Sequence, residues 1–205
     1  LIYENAFETF KAKPKIIFLG GDHSVSYSLT RAFFDSCDDS GKEACLIVFD
    51  AHPDCMKPVD NKFPTHEEWL RGLVEDGFPA KNILLVGVRN SDIQELAFLR
   101  ENKIRIISMS QLLEDLNDSC EILMEFANNK ELYLSLDIDV VDPAFAPSTG
   151  YPEPGGISSR EILYLIQRIN KMKNLRAVDM VEINSEKDAT GLTIKLGAKI
   201  LGEFI

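Results

Sequence analysis

Residues 135–156 read SLDIDVVDPAFAPSTGYPEPGG. Asp137, Asp139 and Asp142 come directly after the apolar run 132–136, which has the density of a buried strand. Carboxylates placed at the end of a buried strand lose hydration and repel each other. Behind them comes a stretch, 140–157, with four prolines and three glycines, which reads as a loop. A buried strand that ends in acids and passes into a long loop is the unit on which the rest of the chain is built.

The same unit recurs in both directions. Apolar runs occupy 16–19, 45–49, 83–88, 104–107, 132–136 and 177–183, and amphipathic stretches of helical period occupy 24–36, 66–76, 91–102, 110–128, 159–172 and 188–204. Near-continuous apolar strands alternating with helices predict an α/β chain, a parallel sheet covered on both faces. Thr65-His66-Glu67-Glu68 and Ser158-Ser159-Arg160-Glu161 both fit a capping box. The stretch 51–65, with three prolines, reads as a second loop. No internal repeat or linker divides the 205 residues, so a single domain over 1–205 is expected.

Composition narrows the class of partner. The formal net charge is −11, from 22 basic and 33 acidic residues, which argues against nucleic acid or an anionic membrane and is compatible with a cationic substrate. No apolar run approaches the length of a membrane span. The N-terminus lacks the basic start and apolar core of a secretion signal. Cys37, Cys45, Cys55 and Cys120 show no paired spacing and are expected as free, buried thiols of a reducing, cytoplasmic setting. The first residue is Leu, and a processed chain or a fragment lacking its natural start is expected.

Ligands of open parallel sheets bind beyond the carboxyl ends of the strands. The residues just beyond each apolar run are therefore the informative ones. After IIFLG comes GDHS with His23; after CLIVF comes DAHPD with Asp50, His52 and Asp54; after LYLSL comes DIDVVD; and Glu182 lies within AVDMVEI. Residues i and i+2 share one side of a strand, so Asp50 with His52 and Asp137 with Asp139 converge, and Asp54 joins them if the chain stays extended or turns back. Four carboxylates crowded there require cations. Oxygen-rich donors with two imidazoles and no thiolate suit Mn²⁺ best, with Fe²⁺, Co²⁺ or Zn²⁺ as alternatives. Six donors with four negative charges exceed the needs of one ion, so two metals with bridging carboxylates are expected, His23, Asp50, His52, Asp54, Asp137 and Asp139 being the ligands.

Blander readings stand beside these. A lone DxD after a strand often caps a helix or binds one Mg²⁺, and a lone histidine is more often structural. Asp22 and Asp142 read either as partners that orient the ligands or as simple caps. Gly20-Gly21 read as a tight turn with close backbone approach. Trp69, with Leu70 and Leu73, reads as packing of a helix on the sheet. Glu182, an acid between Val181 and Ile183, reads as a sheet-edge residue or, more sharply, as the partner of a cation.

GGDHS, DAHPD and SLDIDVVDPAFAPSTGYPEPGG, in this order, resemble the ureohydrolase family of arginases, agmatinases and formiminoglutamases, and VEINSEKDATGLTIKLGAKIL is similar to its closing segment. The resemblance covers about residues 15–202. It implies a three-layer α/β/α fold with a mostly parallel eight-stranded sheet, of which about six strands are read here, with an N-terminal part missing. It implies two Mn²⁺ ions, one held by His23, Asp50, Asp54 and Asp137 and the other by Asp50, His52, Asp137 and Asp139. A hydroxide between them would attack a guanidinium carbon, releasing urea and an amine. Asp54 would bond that hydroxide and move its proton, Glu182 would pair with the guanidinium, and His66 would shuttle a proton to the leaving amine. The capping box would place His66 in the first turn of a helix, whose positive end favours the neutral ring. Family members are often trimers or hexamers, so a homo-oligomer is expected.

Two positions depart from the family pattern. Tyr151 stands where a threonine is usual, and Met56 where true arginases carry an asparagine for the substrate carboxylate. Met56 cannot make that bond. With Glu67-Glu68 beside His66, the departures favour a cationic guanidino substrate such as agmatine over arginine. A formiminoglutamase-type amidine hydrolase and a non-catalytic metal-binding relative are the alternatives.

Overall fold

The computed structural model describes residues 1–58 and 63–205. Its six strands are β1 (Ile16–Leu19), β2 (Ala44–Phe49), β3 (Ile83–Val88), β4 (Arg105–Ser108), β5 (Glu131–Asp137) and β6 (Leu175–Val181). They form one sheet in the order β1-β6-β5-β2-β3-β4, every pair parallel. Eight α-helices accompany them among the described residues, α1 (Ile2–Ala12) before the first strand, α2 (Val25–Asp39), α3 (Trp69–Glu75), α4 (Ile93–Glu101), α5 (Met109–Glu114), α6 (Leu116–Phe126) and α7 (Ser159–Ile169) between strands, and α8 (Leu192–Gly202) after the last.

The apolar runs are continuous because both sheet faces are covered. Along β2, Cys45, Ile47 and Phe49 enter one core while Ala44, Leu46 and Val48 enter the other. The first core is closed by α5, α6, α7 and α8 through side chains such as Leu112, Leu123, Leu165 and Ile200. The second is closed by α1 to α4 through Phe10, Phe33, Leu73 and Phe98. All six residues of β2 and of β3 are buried. Truncating Leu46 to Ala would cost about 2–5 kcal/mol, the usual penalty for a buried leucine. The three-layer arrangement is the one expected.

Four boundaries bear on the sequence expectation, each for a local reason. The stretch 110–128 is two helices, because Asp115 leaves the helical region (φ −147°, ψ 100°) and its carboxylate caps α6, accepting the N–H groups of Asn117 and Asp118 at 3.0 Å. The last strand stops at Val181, since Glu182 takes φ 63°. Ser158 and Glu161 do form a capping box for α7. Thr65 to Glu68 do not start a helix: they form a turn, and α3 begins at Trp69 with Glu68 (φ −133°, ψ 11°) before it. His66 therefore lies outside the first turn of α3, and the helix-end argument for its neutral form fails. Helix α1 lies ahead of the first stretch expected to be helical, and it buries Ala6 and Phe10. Of the loop expected over 51–65, residues 59–62 lie outside the described residues.

The four cysteines are buried and unbridged. No helix among the described residues is long and apolar enough to cross a membrane.

Candidate metal centre

The sheet order sets β1, β6, β5 and β2 side by side. Their carboxyl ends therefore deliver His23, Glu182, Asp137 with Asp139, and Asp50 to one place. His23 Nδ1 lies 3.1 Å from Asp50 Oδ2, 2.9 Å from Asp54 Oδ2 and 3.3 Å from Asp137 Oδ2. His52 Nδ1 lies 2.9 Å from Asp139 Oδ2 and 3.6 Å from Asp50 Oδ1. Two groups of donor atoms result, His23–Asp50–Asp54 and Asp50–His52–Asp139, each spanning no more than 4.8 Å. Asp137 is in neither group: its Oδ1 accepts the Asp139 N–H at 2.8 Å while its Oδ2 lies beside the first group, 3.3 Å from His23 Nδ1.

Backbone amides fix several of the carboxylates. Asp50 Oδ1 accepts the His52 N–H at 2.7 Å, and Asp139 Oδ1 accepts the Ala51 N–H at 3.0 Å. Asp54 itself takes a left-handed backbone (φ 50°). The residues after it are tied down, since the Cys55 N–H donates to Glu95 Oε1 at 3.0 Å and the Met56 N–H to the Glu67 carbonyl at 3.0 Å. Close packing completes the strand ends: a Cβ on Gly20 would lie 2.7 Å from Val181 Cγ1. Gly20 meets the expectation of close backbone approach and Gly21 does not, since nothing lies within 4 Å of where its Cβ would stand.

The tautomer of His23 is set from its far side. Asp179 on β6 is wholly buried, and its carboxylate accepts three hydroxyls: Ser26 Oγ and Tyr133 Oη at 2.8 Å and Ser135 Oγ at 2.7 Å. Ser135 has committed its only hydroxyl hydrogen to Asp179, so its oxygen accepts from His23 Nε2, 3.0 Å away. Nε2 thus carries a hydrogen and Nδ1 faces three carboxylates. Burial pulls the ring down, but Asp137, Asp50 and Asp54 outweigh it and hold it well above its ordinary value, and a cation among them would take the lone pair of Nδ1 in place of a proton. This is the arrangement in which a metal-ligating histidine is oriented through its other nitrogen.

Electrostatics states what is lacking. Burial, with Asp139 and Asp50 nearby, holds the Asp137 carboxyl well above the usual range, and burial with Asp54 and Asp139 pushes Asp50 up to about 7. Burial pulls the imidazole of His52 down, but Asp139 and Asp50 outweigh it and raise the ring to about 11. His23 Nδ1 and Asp50 Oδ2 are buried without a hydrogen-bond partner among the described residues, although 3.1 Å apart. Unpartnered donor atoms and acids driven towards protonation describe a cavity that divalent cations would satisfy, and the oxygen and imidazole donors fit Mn²⁺.

Glu182 closes the site from β6. Its Oε1 accepts the His23 N–H at 2.8 Å, and its Oε2 lies 3.1 Å from where a Cβ on Gly150 would stand. Burial raises its carboxyl above the ordinary value. Outside it opens a cavity of about 280 Å³, lined by His52, Asp54, Met56, His66, Glu95 and Tyr151 among others. The His66 ring stacks on Tyr151 with centroids 5.6 Å apart.

A model of the arginase family matches residues 1–205. The chain belongs to the arginase family. It is 31% identical to the agmatinase of Bacillus subtilis, over 91% of this chain and 61% of that protein. It is also 31% identical to the N(1)-aminopropylagmatine ureohydrolase of Thermus thermophilus, over 90% of this chain and 60% of that protein. The same identity links it to the mitochondrial arginase 1 of rice, over 91% of the chain and 53% of that protein. Among solved structures, the proclavaminate amidino hydrolase of Streptomyces clavuligerus superposes with a TM-score of 0.87 at 28% identity, covering 99% of this chain and 67% of that one. This arginase-family chain thus spans between about half and three fifths of the length of those curated relatives.

All six sequence-expected ligands of the arginase-family chain, with Glu182, converge at one end of the sheet, and His66 lines the cavity beside them. Asp22 and Asp142 stand apart. Asp22 accepts the Ser24 N–H at 3.0 Å at the start of α2, and Asp142 staples its loop by accepting N–H groups of Ala144, Gly155 and Gly156 at 2.9, 2.8 and 3.0 Å. Both are local caps. Three residues escaped the sequence reading: Asp179, Ser135 and Arg89, whose guanidinium donates to the carbonyls of Asp139 at 2.6 Å and Glu153 at 2.7 Å and anchors the loop after β5. The first had a signal, a charge inside an apolar strand.

Proposed function

We propose that this chain carries the active site of a hydrolase that cleaves the C–N bond of a guanidino group, releasing urea and an amine, with two Mn²⁺ ions per chain as cofactor. The observation that carries the reading is Asp50. Its Oδ2 faces His23 at 3.1 Å and its Oδ1 faces His52 at 3.6 Å, so one carboxylate belongs to both donor groups. That is the placement of a bridging ligand. His23, Asp50, Asp54 and Asp137 would hold one ion and Asp50, His52, Asp137 and Asp139 the other. When bound, the ions would supply the Lewis acidity that brings a water molecule's pKa towards neutrality.

The residues supply the rest. Glu182 Oε1 is occupied by the His23 N–H, so Oε2 is the atom that receives the guanidinium, by a charge-assisted bond that aims the carbon at the ligand cluster. Asp54 accepts a proton from the attacking water as the C–O bond forms. His66 Nε2 has no hydrogen-bond partner among the described residues and delivers a proton to the nitrogen as the C–N bond breaks. Urea and a protonated amine leave.

The tail preference comes from the cavity wall. Asp54, Glu67, Asp92 and Glu95 line it, with no Lys or Arg among the described lining residues, and Met56 offers no donor. A substrate with a cationic or neutral tail fits such a wall and a carboxylate tail does not, which supports an agmatinase-like substrate.

The test is to load the chain with Mn²⁺, count bound metal, and measure urea from agmatine, arginine and guanidinobutyrate. Two ions per chain and urea chiefly from agmatine are expected. Formamide from a formimino substrate, with no urea from the panel, would move the chain to the formiminoglutamase type. Bound metal with no turnover of either kind would leave a binding protein.

A further inference from the structure

Trp69 is the chain's single tryptophan. Its sequence context, beside Leu70 and Leu73, reads as packing, and it does pack: it is wholly buried in the second core. Packing does not account for its polar atom. Trp69 Nε1 donates to Asp54 Oδ2 at 2.9 Å, the same carboxylate oxygen that stands 2.9 Å from His23 Nδ1. The indole also lies against the imidazole of His23, ring centroids 4.7 Å apart at 38°. One side chain therefore touches two of the three members of the His23–Asp50–Asp54 group.

Asp54 is the member that most needs such a hold. It is not in a strand, and it keeps a left-handed backbone that costs a non-glycine residue about 1 kcal/mol or more. Its carbonyl accepts the Leu70 N–H at 3.1 Å, so backbone and side chain are both gripped from the start of α3. An N–H donated to a carboxylate from a rigid indole fixes the rotamer and leaves the second oxygen for other work. Buried indole N–H groups take a partner, and here the partner chosen is a ligand.

We infer that Trp69 is a positioning residue: its indole N–H sets the Asp54 carboxylate, and its ring the His23 imidazole, for the ion held by that group. This rests on the metal-centre reading above. Trp69→Phe keeps an aromatic ring in the core and removes the donor. Removal of such an outer partner weakens metal binding or activity by about 10–100-fold.

The experiment is a Mn²⁺ titration of the full chain and of Trp69→Phe by calorimetry, with circular dichroism and thermal melts as the check on folding. Expected is a folded variant that keeps one site at unchanged affinity, binds the second ion at least about tenfold more weakly, and loses kcat with little change in KM. Equal affinity at both sites would overturn the positioning role and leave the metal centre intact. A wild-type chain that binds no metal would overturn both. Should the variant fail to fold, the unsubstituted chain decides. Its one indole N–H proton resonance should exchange slowly and vanish on filling the site with paramagnetic Mn²⁺; a resonance indifferent to Mn²⁺ would sink the inference.

Discussion

Ser135 Oγ stands 2.7 Å from Asp179 Oδ1, a hydroxyl joined to a carboxylate in the interior of the sheet. That bond decides the direction of every hydrogen bond beyond it, because a carboxylate only accepts. It turns the Ser135 oxygen towards His23 and leaves His23 Nδ1 to the ligand cluster. Asp179→Asn keeps shape but loses an acceptor facing three hydroxyls. The expected result is a loss of about 1–3 kcal/mol in stability, from a buried group left unsatisfied, and about tenfold weaker Mn²⁺ binding at the His23 group. Urea denaturation and metal titration check the two parts, and an unchanged metal affinity would refute the orienting role.

Asp137→Asn should lose both ions and all activity. Asp137 Oδ2 lies 3.3 Å from His23 Nδ1, its Oδ1 accepts the Asp139 N–H, and the proposed function makes it a ligand of both ions. An amide cannot offer two anionic oxygens. Metal counting after dialysis reads the outcome, and two ions retained would remove Asp137 as a shared ligand.

Glu182→Gln should keep both ions yet lose turnover by about two orders of magnitude or more, the scale of a removed electrostatic contact in a buried site. The amide oxygen still accepts the His23 N–H, so the fold is spared. Unchanged kcat/KM for the guanidino substrate would place Glu182 outside the reaction.

Much of the fold and the site was legible in the residues alone, and the limits are physical. Strands covered on both faces appear as unbroken apolar runs, so β2, β3 and β5 announced themselves, and the acids Asp50 and Asp137 at the ends of β2 and β5 marked the site. Trp69 did not show its second role, because an indole that packs and an indole that packs and donates have the same neighbours in sequence. Thr65 and Glu68 carry the letters of a capping box and do touch through their side chains. The backbone at Glu68 nevertheless turns away from the helix, so spacing alone named the wrong first residue for α3.

Tyr151→Thr should leave stability within about 0.5 kcal/mol, as expected for an exposed side chain, Tyr151 being 57% accessible. It should change KM, because the phenol stacks on His66 at the mouth of the cavity. A bulkier guanidino tail should gain most. Steady-state kinetics on a series of tail lengths is the measurement, and an unaltered ranking of substrates would acquit Tyr151 of any part in selection.

Asp54 and Glu182 share a left-handed backbone, φ 50° and φ 63°, in which glycine would rest without strain. The chain thus keeps acids at two places where its own folding favours no side chain at all. A glycine at either position would relax the backbone, but it would also leave the Trp69 indole N–H or the His23 N–H without its acceptor. Each acid therefore both strains the chain and satisfies a donor, so its side chain is held in place by the same contacts that its backbone resists.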